Sequence, residues 1–226
     1  MTDTPTFVSH LECSMTGKTY PADTVQGLSE AGRPLLVRYD LDALAKAVTK
    51  EDIAKTLAVF GGFTEGVQLF ASFAILMNFP RFNKMKGMGQ IVTWSARDET
   101  LHTVSAMKLF RTFVDENPEI WTEKLQQDIY KACETIIHHE DAFIDLAFEM
   151  GGVEGLDAPQ VKQYIRYIAD RRLVQLNLQP IYRTEKNPLP WMDEMLNGIE
   201  HTNFFENRAT EYSKASTRGT WDEAFD

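Results

Sequence analysis

Apolar and polar positions change rhythm at about residue 49. Before it, short alternating pieces such as "TFVSHLEC" and "PLLVRYD" stand between Gly, Pro, Ser and Thr, which predicts brief strands joined by turns and no helix. From there on the chain reads as helical nearly to its end. A first helix is predicted over 51–79, apolar on most faces, with Thr49 and Asp52 as an N-cap pair and Pro80 as its stop. A helix apolar all round belongs in the middle of a bundle. A second helix is predicted over 84–115. Asn117-Pro118 opens a third, over 118–150, and Gly151 closes it. A fourth covers 158–177, and "MDEMLNGI" makes a short one. The polar tail from Asn207 to Asp226 is expected to be mobile. The pattern thus divides the chain into a leader (1–48), a helical domain (49–206) and a tail (207–226).

Composition narrows this picture. With 226 residues, 43% of them hydrophobic, a sizeable core is expected. The formal charge of -10 argues against a nucleic-acid partner. The apolar run Leu69–Phe79 is shorter than a bilayer requires, so no membrane span is expected. Two distant cysteines, Cys13 and Cys133, and an N-terminus without a signal-peptide pattern point to the cytoplasm.

One pattern carries chemistry. In "SARDETLHTV" Glu99 and His102 lie three apart, on one face of the second helix. Glu-x-x-His is how di-metal carboxylate bundles present an acid and an imidazole inward. Carboxylates neutralise and bridge cations, and a neutral imidazole suits iron, manganese or zinc. Glu65 is the only acid between Asp52 and Asp98, in an otherwise apolar helix. A buried lone carboxylate there needs a partner. It precedes Glu99 by 99 − 65 = 34 residues, and a turn at 79–83 would bring the two level. Asp98 could accept from the second nitrogen of His102, while Arg97 and Asp98 could instead make a surface contact. "CETIIHHEDAF" offers Glu134, His138, His139 and Glu140, but adjacent residues face different ways, and these read as surface groups.

The motifs "FTEGVQLFASFA", "IVTWSARDETLH", "RYIADRRL", "NPLPWM" and "NFFENRATEY" resemble the small, radical-generating subunit of class I ribonucleotide reductases, over roughly 170 of the 226 residues. The resemblance implies an all-α, ferritin-like helical bundle, partial here, behind a short irregular or β segment. It implies a di-iron, or iron and manganese, centre that oxidises a tyrosine during deoxyribonucleotide synthesis. By it, Glu65, Glu99 and His102 look like the ligands of one metal, Asp98 like the acid on the radical route, and Tyr212 like the tail tyrosine that relays the radical. "WDEAFD" resembles the peptide that docks on the large subunit.

Ahead of Glu65 the family's aspartate, second Glu-x-x-His and radical tyrosine are not recognisable, so one chain offers an incomplete centre. Two chains in a symmetric homodimer could rebuild it. The alternative is a non-catalytic helical protein that retains only large-subunit docking. Residues 6–45 resemble instead the opening segment of threonine synthase-like, pyridoxal-phosphate-dependent lyases. There "ECSMTGKTYP" looks like a decayed zinc ribbon, with Thr16 where a second cysteine would stand, so zinc is not expected.

Overall fold

The computed structural model describes residues 6–197, in two compact units, Met1–Ile53 and Ala54–Asp226. The first holds a three-stranded antiparallel sheet in the order β2-β1-β3. Strand β1 (Val8–Cys13) is central, between β2 (Thr19–Tyr20) and β3 (Leu35–Tyr39). β1 and β3 correspond to the two predicted pieces. A two-toothed clamp, Arg38 to the Glu12 carboxylate at 2.7 and 3.2 Å, ties them across the ladder. The Cys13 thiol is buried and donates to Ser29 Oγ at 3.1 Å. One helix was not expected here: α1 (Leu41–Ala47), capped by the Asp40 carboxylate on the Ala43 amide. Its seven residues are too few to display a period.

Helix α2 (Lys50–Leu57) starts where the sequence places it. Thr49 and Asp52 cap each other's backbone amides at 2.9 and 3.1 Å. The next stretch departs from expectation. Ala58–Gln68 is π-helical, and α3 (Phe70–Arg81) continues from it. The predicted helix over 51–79 is therefore one run with a widened middle. The run Lys50–Arg81, 32 residues, is long and apolar enough to cross a membrane by length and composition. Its side chains Phe63, Val67, Phe70, Ala71, Ala74 and Met77 belong to the core of this unit.

Pro80 does not stop α3; it sits in the last turn. The chain reverses through Asn83 and Met85, both at positive φ. Helix α4 (Lys86–Glu116) then runs back antiparallel. The return is tight because small residues face it. A Cβ on Gly89 would come 2.1 Å from Pro80 Cγ, and one on Gly61 would come 2.2 Å from Ala106 Cβ. No side chain fits at either distance, so hydrogen at these two positions sets the spacing of the pair.

After one 3-10 turn at Pro118–Ile120, α5 (Glu123–Ala147) begins at a Thr122 cap, and α6 (Ala158–Gln175) at a reciprocal Asp157–Gln160 cap. The third helix thus starts later and ends earlier than predicted. Arg166 of α6 grips Asp141 of α5 with both nitrogens, at 2.9 and 2.6 Å. The buried carboxylate of Asp170 accepts the amides of Ile181, Tyr182 and Thr184 at 2.9 to 3.0 Å. That grip holds the segment leading to α7 (Pro190–Asn197).

The reading of the 134–140 cluster needs one correction. His138 and His139 are exposed, but Glu140 is 4% exposed, and its Oε2 has no hydrogen-bond partner among the described residues. It shares a face of α5 with Ile136, Ile137 and Ile144, so burial follows the helical period. Burial, and then the neighbouring Asp141 carboxylate, push its pKa up to about 7.

Two outcomes follow. Gly61→Ala should cost about 1–3 kcal/mol by overpacking against α4. Ala106→Gly placed on top should recover most of that loss, because it removes the atom the new methyl meets; urea denaturation of the single and double variants checks this, and additive losses would contradict it. Glu140 holds its proton more tightly folded than unfolded. Stability should therefore fall as pH rises from about 4.5 to about 7 and stay low above. Glu140→Leu should remove that fall, so its advantage over wild type should grow by roughly 2–3 kcal/mol between pH 4.5 and pH 8. An advantage that does not vary with pH would contradict it.

Candidate metal centre

The close approach at Gly61 places the π-helical segment against α4 four residues before Glu65. In the antiparallel pair, Gly61 meets Ala106, and Gly66 lies beside Thr103, whose Cγ2 a Cβ there would approach to 3.0 Å. Glu65 is thereby carried to the level of Glu99 and His102. One donor atom from each of the three lies within 4.8 Å of the others. Among the described residues this is the one such group of three or more His, Cys, Asp or Glu.

The π geometry matters to this placement. A π turn takes up an extra residue, which rotates the side chains that follow relative to an α-helix. Three glycines (61, 62 and 66) within six residues weaken the α-helical preference locally. Arg172 of α6 donates from Nε to the Gly66 carbonyl at 3.1 Å, which pins the backbone one residue beyond Glu65. Sequence reasoning missed both features, and the glycine cluster was the signal that could have found them.

On α4, His102 Nδ1 lies 3.4 Å from Glu99 Oε2, and its Nε2 lies 3.7 Å from Asp98 Oδ1. The two nitrogens thus face different acids. Arg97 does not serve only a surface contact: its guanidinium donates to the carbonyls of Leu196 and Met195, at 3.0 and 3.2 Å. The Thr103 hydroxyl donates to the Glu99 carbonyl at 2.8 Å. Tyr212 and the tail segment 213–226 lie outside the described residues.

The three donors are not sunk in the core. Glu65 and Glu99 are half-buried, and the side chain of His102 is 49% exposed. His102 stands on an exposed stripe of α4 at alternating steps of three and four, with Ile91, Ser95, Asp98, Ser105 and Leu109. Leu101 and Val104 beside it are also exposed, as is Phe60 on the π-helical segment. Two carboxylates and an imidazole at this separation can converge on one divalent cation.

The chain is similar to known proteins over most of its length. The family model for ribonucleotide reductase, small chain, matches residues 36–188. The protein named ribonucleoside-diphosphate reductase small subunit 048L in Invertebrate iridescent virus 3 is 51% identical over 172 residues, 76% of this chain and 46% of its own. The Chlamydia pneumoniae ribonucleoside-diphosphate reductase subunit beta is 37% identical over 161 residues, 71% of this chain and 46% of its own. The solved ribonucleotide reductase R2 subunit from Clostridium botulinum superposes with a TM-score of 0.58 at 25% identity, over 62% of this chain and 44% of that one. The helical unit has the ferritin-like architecture of these subunits. The chain spans about half the length of the curated relatives it matches.

Proposed function

The chain belongs to the ribonucleotide reductase small-chain family, and on that premise we propose that Glu65, Glu99 and His102 hold one ion of a di-metal centre in a ribonucleoside-diphosphate reductase small subunit. The observation that carries the reading is the convergence of the three donors within 4.8 Å. When bound, the metal centre supplies the one-electron oxidising power for deoxyribonucleotide synthesis. The chain's own side chains do the rest. Two carboxylates offset the charge of a divalent ion. Asp98 lies 3.7 Å from His102 Nε2, and a proton on that nitrogen would leave the Nδ1 lone pair free to ligate. The Thr103 hydroxyl bonds back to the Glu99 carbonyl one turn earlier, so Thr103 is occupied on the helix and does not compete for the ion.

Bundles of this kind draw on two lone acids and two Glu-x-x-His pairs. Glu65, Glu99 and His102 make up half of that set, and His102 stands on an exposed stripe where a second half can meet it. A symmetric homodimer brings two copies of the stripe together and supplies it. The tail, with Tyr212 and the 213–226 segment, is the part that would dock on a large subunit. A second reading, a helical protein that docks without radical chemistry, is favoured by the exposure of His102, which leaves the donor group open to water.

Metal analysis of size-exclusion fractions after anaerobic loading with ferrous iron or Mn(II) separates the two. The proposal expects one ion per chain in a dimer peak, lost in Glu99→Ala/His102→Ala with the helical circular dichroism unchanged. Metal content equal in wild type and variant, or none in either, overturns it. Deleting residues 213–226 should abolish binding to a cognate large subunit on a biosensor chip and leave metal content as it was; undiminished binding would remove the tail from that role.

A further inference from the structure

A second site lies between α4, α6 and α7, in a cleft of about 420 Å³. Arg97 of α4 and Arg171 and Arg172 of α6 line it, with Tyr164, Tyr167 and Phe70 among its walls. Arg172 is the anomaly. It is 8% exposed. Its printed donors go to neutral oxygens, the Gly66 carbonyl at 3.1 Å and Gln175 Oε1 at 3.0 Å, and its Cζ lies 5.9 Å from the Phe70 ring. Among the described residues no carboxylate pairs with it. A buried guanidinium without a counter-charge is expensive, and proteins rarely keep one without an anion to meet it.

The surroundings point the same way. Arg171 donates to the Tyr167 hydroxyl at 2.8 Å, and Arg97 to the carbonyls of α7. Among the described residues Asp193 is the one acid in the lining, and Asn187 donates to it at 2.9 Å. Arg171 and Arg172 bond only to neutral oxygens among the described residues, so both bring an unpaired positive charge to the cleft. A cleft with apolar walls concentrates that potential at its mouth. Guanidinium groups meet phosphate oxygens in pairs.

We propose that this cleft binds a phosphate monoester carrying an aromatic or apolar body, its dianion set between Arg171 and Arg172 and its ring against the tyrosines. The two charges of a phosphate monoester answer those of the two guanidiniums, and the volume admits a ring as well as the phosphate. The site shares no side chain with the Glu65, Glu99 and His102 group and needs no metal.

Isothermal titration of phenyl phosphate into the full, metal-free chain in the presence of chelator tests it. Saturable binding with a Kd of about 1 mM or tighter is expected, weaker in high salt, with benzyl alcohol inert. Arg171→Gln, at an exposed position whose loss leaves the core alone, should weaken binding about fivefold or more. Glu99→Ala/His102→Ala should bind as wild type does, which keeps this outcome separate from that of the metal proposal. No saturation up to about 10 mM, or unchanged affinity in Arg171→Gln, overturns the proposal. Inorganic phosphate binding as tightly as phenyl phosphate would overturn the part assigned to the aromatic walls.

Discussion

The contact between Gly61 and Ala106 governs the geometry of the helical unit. Two antiparallel helical runs approach there until a single methyl group would collide with its neighbour. Close approach of this kind gains dispersion contacts along both runs and leaves little freedom to slide. Register is what the donor cluster needs. A shift of one residue along α4 would turn Glu99 by about 100° about its axis and take it away from Glu65. The glycine at 61 and the alanine at 106 therefore set the level at which the three donors meet.

The π-helical segment solves a second problem of the same pair. It holds three glycines, which weaken the α-helix, yet its backbone must stay ordered to aim Glu65. Order comes from outside the segment. Arg172 reaches across from α6 to the Gly66 carbonyl, and the glycine leaves room for it: a Cβ there would come 2.7 Å from Arg172 Nε. The buried guanidinium thus supports Glu65 from one side and lines the neighbouring cleft on the other.

The remaining architecture follows a division of polar labour. Asp170 and Arg166 are well partnered and tie segments together, Asp170 through three amides and Arg166 through a two-point grip on Asp141. Glu140 is buried with an oxygen that nothing described here satisfies. Exposed apolar side chains, Phe60, Leu101, Val104 and Leu109, stand around or beside the donor cluster. A face that mixes acids and an imidazole with uncovered apolar groups has the make-up of a contact surface.

Much of this was legible in the residues themselves. The step of three from Glu99 to His102, the solitary acid in an apolar helix and the 34-residue interval together named the cluster, because a regular helix converts spacing into direction. Helix starts at Thr49/Asp52 and the ladder strands were equally local, being decided by side chains that reach their own backbone. What spacing could not convey was the choice between faces and between helix types. Glu140 sits in the core, the segment around Glu65 is π-helical, and the third helix opens with a 3-10 turn. The segment around Glu65 was decided by partners far along the chain, Ala106, Thr103 and Arg172. The pattern along the chain determined which elements form and which three side chains share a level. Only packing between them decided the depth of each group and the direction it faces, because burial is a property of neighbours and not of sequence position.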